Sequence, residues 1–189
     1  MDDCMRFVEP IRDVEQLEEF KEYLKNKSER DYLLFLMGIT TGFRVSDLLM
    51  LKVRDVEGTH IKVMEQKTKK MKRVIISPDL KKVLKEYLKD KKANDYLFLS
   101  KKRTKSGKKQ PITRVRAYQI FNEAADAIGL RDNIGTHTMR KTFGYHFYKQ
   151  FGDVATLQRL FNHSSQATTL MYIGITQDDM DEKISKMYR

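Results

Sequence analysis

A chain of 189 residues is long enough for one domain with a substantial core, and its 40% hydrophobic and 10% aromatic content excludes wholesale disorder. Lys plus Arg exceed Asp plus Glu by 37 to 26, and the net charge of +11 favours a polyanionic partner, nucleic acid first and anionic membrane second. The single cysteine, Cys4, excludes an intrachain disulfide framework and a cysteine zinc cluster, which fits a reducing cytoplasm. The longest apolar run, Tyr32 to Met37, is too short to cross a bilayer, and the acidic start MDDCMRFVEP is not a signal peptide.

In chain order, Asp13 caps a first helix whose Val14, Leu17, Phe20 and Leu24 recur near helical spacing, with Gln16 three residues after the cap. Ser28 opens a second helix, and its YLLFLMGI run, apolar on every side, predicts a central position in the core. Gly42 punctuates TTGF before a short helix over Val45 to Leu51. The period then changes: His60 to Met64 and Arg73 to Ile76 are β-branched and partly alternating, predicting a small antiparallel sheet with a lysine-rich hairpin. Ser77-Pro78-Asp79 starts a helix buried through Leu80, Val83, Leu84, Tyr87 and Leu88.

After the apolar piece YLFLS and a basic loop with Gly107 at its tip, Thr113 caps a helix expected to bury Tyr118, Phe121, Ala124, Ala125 and Ile128. Helices follow over HTMRKTFGYHFYKQ, stopped near Gly152, over VATLQRLF after Asp153, and through Tyr172. A last one after Thr176 carries a narrow apolar stripe of Met180, Ile184 and Met187. There is no internal repeat and no dividing linker. The expected architecture is one mostly helical α+β domain.

The positive charge is concentrated. Residues 65 to 73, EQKTKKMKR, hold five basic groups, and residues 101 to 116, KKRTKSGKKQPITRVR, hold eight. Lys69, Lys70, Lys101, Lys102, Arg103, Lys105, Lys108, Lys109, Arg114 and Arg116 are therefore candidate DNA-backbone contacts; the alternative is a solvated basic surface. Gly107-Lys108 lacks the glycine spacing and the following Ser/Thr of a P-loop. The four histidines, His60, His137, His146 and His163, form no metal-ligand pattern, so neither a cofactor nor a metal is expected. Chemistry on phosphates would fall to side chains.

GTHTMRKTFGYH offers His137 and Arg140, three apart on one helix face near an N-terminus that favours anions. The ordinary alternative is a capping neighbour with an exposed arginine. Arg44, directly behind the apolar helix, is placed to be held half-buried, or else to pair with Asp47. Tyr172 lies nine residues after His163; in a chain with nine tyrosines the default for it is the core. A phenol with a pKa of about 10 attacks only where a base takes its proton and cations stabilise the attacked centre.

The segments TTGFRVSDLLMLKVRDV, EQKTKKMKRVII, THTMRKTFGYH and LQRLFNHSSQATTLMYIGI, in that order and over nearly the whole chain, resemble the signature segments of the tyrosine recombinases, the phage-integrase family. Arg44 matches the first catalytic arginine, Asp47 the acidic neighbour that supports it, Lys67 the hairpin lysine, His137 and Arg140 the HxxR pair, His163 the His/Trp position and Tyr172 the nucleophile.

The resemblance implies the family's catalytic fold, with a small three-stranded antiparallel sheet carrying the lysine hairpin, over residues 1–189 and without the N-terminal clamp domain. It implies site-specific cleavage and rejoining of double-stranded DNA through a 3′-phosphotyrosyl intermediate, as in integration of a mobile element. It further implies a tetrameric synapse on DNA with exchange of the C-terminal helix, and a cytoplasmic protein. A non-catalytic DNA-binding regulator of the same fold and a type IB topoisomerase-like activity are the alternatives. Three departures stand out: the N-terminal clamp domain usual in the family is not expected here, Asn162 occupies a position where the family commonly has glycine, and Lys69 and Lys70 compete with Lys67 for the hairpin role.

Overall fold

The computed structural model describes residues 8–66, 70–175, 179, 181 and 184–187. The elements run α1 (Val14–Lys27), α2 (Glu29–Thr41), α3 (Val45–Leu49), β1 (His60–Met64), β2 (Met71–Ile75), α4 (Pro78–Tyr87), α5 (Arg114–Ala127), α6 (Thr138–Phe151), α7 (Val154–Phe161) and α8 (Gln166–Tyr172). The caps fall where side-chain chemistry puts them: Asp13, Ser28, Ser77, Thr113, Asp153 and Ser165 each accept a bond from the third residue onward in the helix they open.

The sheet differs from expectation. Among the described residues it has two strands, β1 antiparallel to β2 with Ile61 opposite Val74 and Val63 opposite Lys72. The YLFLS piece supplies isolated bridges, Lys52 with Tyr96 and Leu99 with Pro111, rather than a third strand. Its Leu97 and Phe98 are fully buried and its backbone bonds are spent on Leu51 and Ile112, so no run of edge groups is left to make a ladder. The basic loop closes on itself through Ser100 to Gln110 and Thr104 to Lys108 backbone bonds instead of hanging open.

Two apolar clusters organise the chain. The larger joins α1, α2 and α5 through Phe20, Phe35 and Phe121, whose rings lie 4.5 to 6.4 Å apart. On α5, Ala117 and Ile120 take the buried positions and Tyr118 is 49% exposed, contrary to the expected stripe; Val14 on α1 is likewise exposed. The smaller cluster gathers Leu157, Phe161, Ile173 and Ile175 against the aromatic side chains of α6. Helix α6 belongs to both, with Met139 in the first and Phe143 against the second.

Helix α6 approaches α2 closely because Gly38 has no side chain: a Cβ there would lie 2.3 Å from the Met139 sulfur. The final predicted helix falls mostly outside the described residues; Asp179 is tied to Lys149 at 2.8 Å, and Ile184 and Met187 are exposed. Gly38→Ala should cost about 1–3 kcal/mol by overpacking, read by urea denaturation, and Met139→Ala in the same chain should return part of it. An unchanged midpoint for the single variant would contradict the close α2–α6 contact.

Candidate active site

The site is built at the seam between the clusters, on Arg140. This arginine is 3% exposed, and its guanidinium donates to two helix-end carbonyls, Gly42 after α2 and Phe161 at the end of α7, the latter at 3.0 Å. Both acceptors are among the carbonyls that a helix C-terminus leaves without an internal partner. Each is presented by a left-handed residue: Gly42 has φ 64°, and Asn162, directly after Phe161, has φ 55°. Asn162 is the one non-glycine residue with positive φ among the described residues, and asparagine tolerates that region. The departure from glycine at this position thus leaves the turn intact. The guanidinium also stacks 4.1 Å from the Phe161 ring centroid.

Tyr172, at the end of α8, is half-buried above this arginine. Its ring lies edge-on to His163 at 5.0 Å and to Phe161 at 5.6 Å, and the Lys141 ammonium is 5.3 Å from its centroid. The phenol oxygen is 3.2 Å from His137 Nδ1, and the neighbouring Arg140 guanidinium favours its ionised form. A guanidinium can only donate, so the phenol's own proton is the one available to His137. Burial raises the Tyr172 pKa, against the lowering influence of Arg140 and Arg44. Burial lowers that of His137, helped by Arg114, Arg140, Lys141 and Arg44, so the ring is a neutral acceptor at neutral pH.

His163 is fixed differently. Thr169 spends its hydroxyl hydrogen on the Ser165 carbonyl and therefore accepts from His163 Nδ1 at 3.1 Å. In the neutral ring Nε2 is then an acceptor, and it becomes a donor only in the imidazolium. Burial, then Arg140, Arg44 and Lys72, lowers the pKa of this histidine.

Arg44 does not pair with Asp47. It bonds Glu65 at 2.6 Å, while Asp47, 3% exposed, accepts from the Gln66 backbone at 3.1 Å and ties α3 to the exit of β1. Its second oxygen is buried with no hydrogen-bond partner among the described residues. Lys72, on the inward face of β2 with Val74, bonds Glu65 at 2.7 Å and the Leu160 carbonyl at 2.6 Å. Glu65 and Lys72 were missed as individuals inside a stretch read as a basic patch. The alternation that puts Val74 inward was the available signal for Lys72.

Lys67 and Lys69 lie outside the described residues, so the expected hairpin lysine has no described position. Arg114 lines a recess of about 430 Å³ beside the site, together with Arg44, Ser46, Gln66, Thr136 and His137. The other candidate cations are peripheral: Lys70, Lys101, Lys102, Arg103, Lys105 and Lys108 are exposed, Lys109 pairs with Asp95, and Arg116 turns along its own helix to Glu123. Among the described residues no group of three or more His, Cys, Asp or Glu could hold a metal ion, and no helix is long and apolar enough to cross a membrane.

Residues 11–178, which include Arg44, His137, Arg140, His163 and Tyr172, match the phage integrase family profile. The chain belongs to the phage integrase family. One phage integrase family relative, the probable integrase/recombinase YoeC of Bacillus subtilis, is 50% identical over 175 residues, 92% of this chain and 93% of that protein. The tyrosine recombinase XerA of Pyrococcus horikoshii is 32% identical over 160 residues, 83% of this chain but 54% of XerA. The chain thus spans nearly all of YoeC and about half of XerA.

The same fold recurs in solved structures. XerA recombinase superposes with a TM-score of 0.75 at 23% identity, covering 96% of this chain and 66% of that one. XerH recombinase in a post-cleavage complex with difH DNA gives 0.73 at 22% identity, covering 100% of this chain and 56% of that one.

The electrostatics of this integrase-family site can be checked directly. His137 should titrate below the ordinary histidine value in a pH series of imidazole NMR shifts, being neutral above its pKa and charging as pH falls through it. Arg114→Ala removes a nearby positive charge and should move that pKa upward; no movement would contradict the proximity of the two groups.

Proposed function

We propose that this protein cleaves and rejoins DNA at specific sites through a transient 3′-phosphotyrosyl bond carried by Tyr172. The observation that carries the reading is the placement of one phenol between a neutral proton acceptor, His137, and a donor that cannot accept, Arg140. Around it stand four cations, Arg44, Lys72, Arg140 and Lys141, and two buried carboxylates, Glu65 and Asp47. The excess of positive charge suits a phosphodiester anion.

In this reaction the Tyr172 oxygen attacks phosphorus as its proton passes to His137. Arg44 and Arg140 hold the non-bridging oxygens, joined by His163 once it is protonated. The bond to the 5′ oxygen breaks and that oxygen takes a proton, a role that resemblance gives to Lys67. Attack by a 5′-hydroxyl of a second strand on the phosphotyrosine runs the same steps backwards, so the energy of the ester is conserved and no nucleotide is consumed.

Self-association on DNA, as a tetrameric synapse with exchange of C-terminal helices, is part of the proposal. It is supported by the exposed Ile184 and Met187 in the tail and by a lambda integrase dimer, of related fold, bound to its core site. The basic loop 101–109, with Arg114 nearer the site, would follow the duplex backbone. A cytoplasmic location is part of the same proposal.

The test is covalent capture from a pooled library of nicked duplexes of varied sequence. Wild type should yield denaturant-stable protein–DNA adducts whose sequences converge on one site, and Tyr172→Phe should yield none while binding DNA with near wild-type affinity. Adducts from the Tyr172→Phe variant, or none from wild type over long incubation, would contradict the assignment.

A further inference from the structure

Glu65 follows β1 directly and is 1% exposed, an unusual place for a carboxylate in a segment with five basic groups. A single oxygen, Oε1, accepts from Arg44 Nη1 at 2.6 Å and from Lys72 Nζ at 2.7 Å. Lys72 gives a second bond to the Leu160 carbonyl, so the start of α3, strand β2 and the end of α7 meet through this one group. Beside a phosphate-binding centre a buried negative charge weakens the attraction for substrate. What it gives in return is geometry. Arg44 and Lys72 repel each other and carry long, flexible side chains; a shared acceptor beneath them fixes both at once.

We infer that Glu65 is a positioning residue for strand cleavage, holding Arg44 and Lys72 as a fixed pair of cations facing the scissile phosphate. This rests on the reaction proposed above and adds to it a second ammonium group, Lys72, distinct from the expected hairpin lysine. An ammonium has three donors; Glu65 and the Leu160 carbonyl use two, and the third serves a phosphate oxygen.

The arrangement has a pH signature. Burial lowers the pKa of Lys72, its hydrogen bond to the Glu65 carboxylate raises it, and Arg140 and Arg44 lower it; His163 faces the same ammonium from the end of α7. Without the Glu65 charge, burial and the cations act unopposed and the pKa falls further. Lys72 works protonated, so activity is lost as pH rises through that pKa, and the alkaline limb of the cleavage profile moves to lower pH.

The experiment uses the full chain and the nicked duplex recovered by covalent capture. Glu65→Gln keeps the volume and one acceptor oxygen; it should slow adduct formation about 10²-fold, shift the alkaline limb to lower pH and leave DNA affinity within about twofold. Lys72→Met should also slow adduct formation. The double variant should recover part of the melting temperature lost by either single variant, since Lys72 and its carboxylate leave together and Arg44 alone loses its partner, but not the cleavage rate. Wild-type rate and pH limb in Glu65→Gln overturn the inference while the proposed reaction stands. Recovery of cleavage along with melting temperature in the double variant overturns it too, because the role is then structural. A wild type that forms no adduct removes the reaction and the inference together.

Discussion

A guanidinium buried to 3% exposure and bonded to two helix-end carbonyls is the constraint on which the rest of the site depends. Taking a charge out of water costs several kcal/mol unless its hydrogen bonds are replaced, and Arg140 replaces them with carbonyls at the negative ends of α2 and α7. Those carbonyls are available only because the chain turns left-handed at Gly42 and Asn162, which end the two helices at the right places. At Gly42 a Cβ would also meet the Phe143 ring at 2.5 Å, so backbone conformation and packing select the same residue. The arginine thereby locks three helices in register, and Tyr172, on the next helix, is laid over it.

From that anchor the protonation states follow. Burial keeps both histidines neutral, helped by the surrounding cations, and it raises the Tyr172 pKa while the same cations pull that pKa back down. The same cations therefore depress the base and make its substrate proton easier to remove. Arrival of a phosphodiester would reverse part of this, since an anion next to His163 favours its imidazolium and frees Nε2 to donate. The buried carboxylates Asp47 and Glu65 offset part of the positive field, which keeps the clustered cations compatible with a folded, desolvated site.

Much of this was legible in the sequence because it is local. Caps at Asp13, Ser28, Ser77, Thr113 and Asp153 are decided by side chains reaching their own helix, and the change from helical to alternating period at residue 60 located β1 to its ends. Arg44, His137, Arg140, His163 and Tyr172 stood out by type and order, and the structure gathers them. The pairing of Arg44 was not legible: Asp47 is the near neighbour in sequence, but α3 turns its carboxylate toward the Gln66 backbone and leaves the arginine to Glu65, 21 residues away. Lys72 was hidden for a related reason. Among the described basic residues of that stretch, Lys70, Lys72 and Arg73, only the strand register separates the one facing inward from the two that are exposed. Tyr118 was misjudged because helix α5 is buried along small residues, Ala117, Ala124 and Ala125, whose weak hydrophobicity leaves the larger tyrosine to suggest the wrong face.

The central claim, that a carbonyl-clamped arginine organises a phosphate-cleaving centre, is tested most directly by a crystal structure of Tyr172→Phe bound to its captured duplex. The account predicts the scissile phosphate with its non-bridging oxygens about 2.7–3.0 Å from the Arg44 and Arg140 guanidinium groups. The bonds from Arg140 to Gly42 and Phe161 should be unbroken, and the edge of the substituted ring should face phosphorus opposite the 5′ oxygen. A duplex seated on the basic loop with the phosphate remote from Arg140, or an Arg140 swung away from its two carbonyls to reach the phosphate, would contradict it.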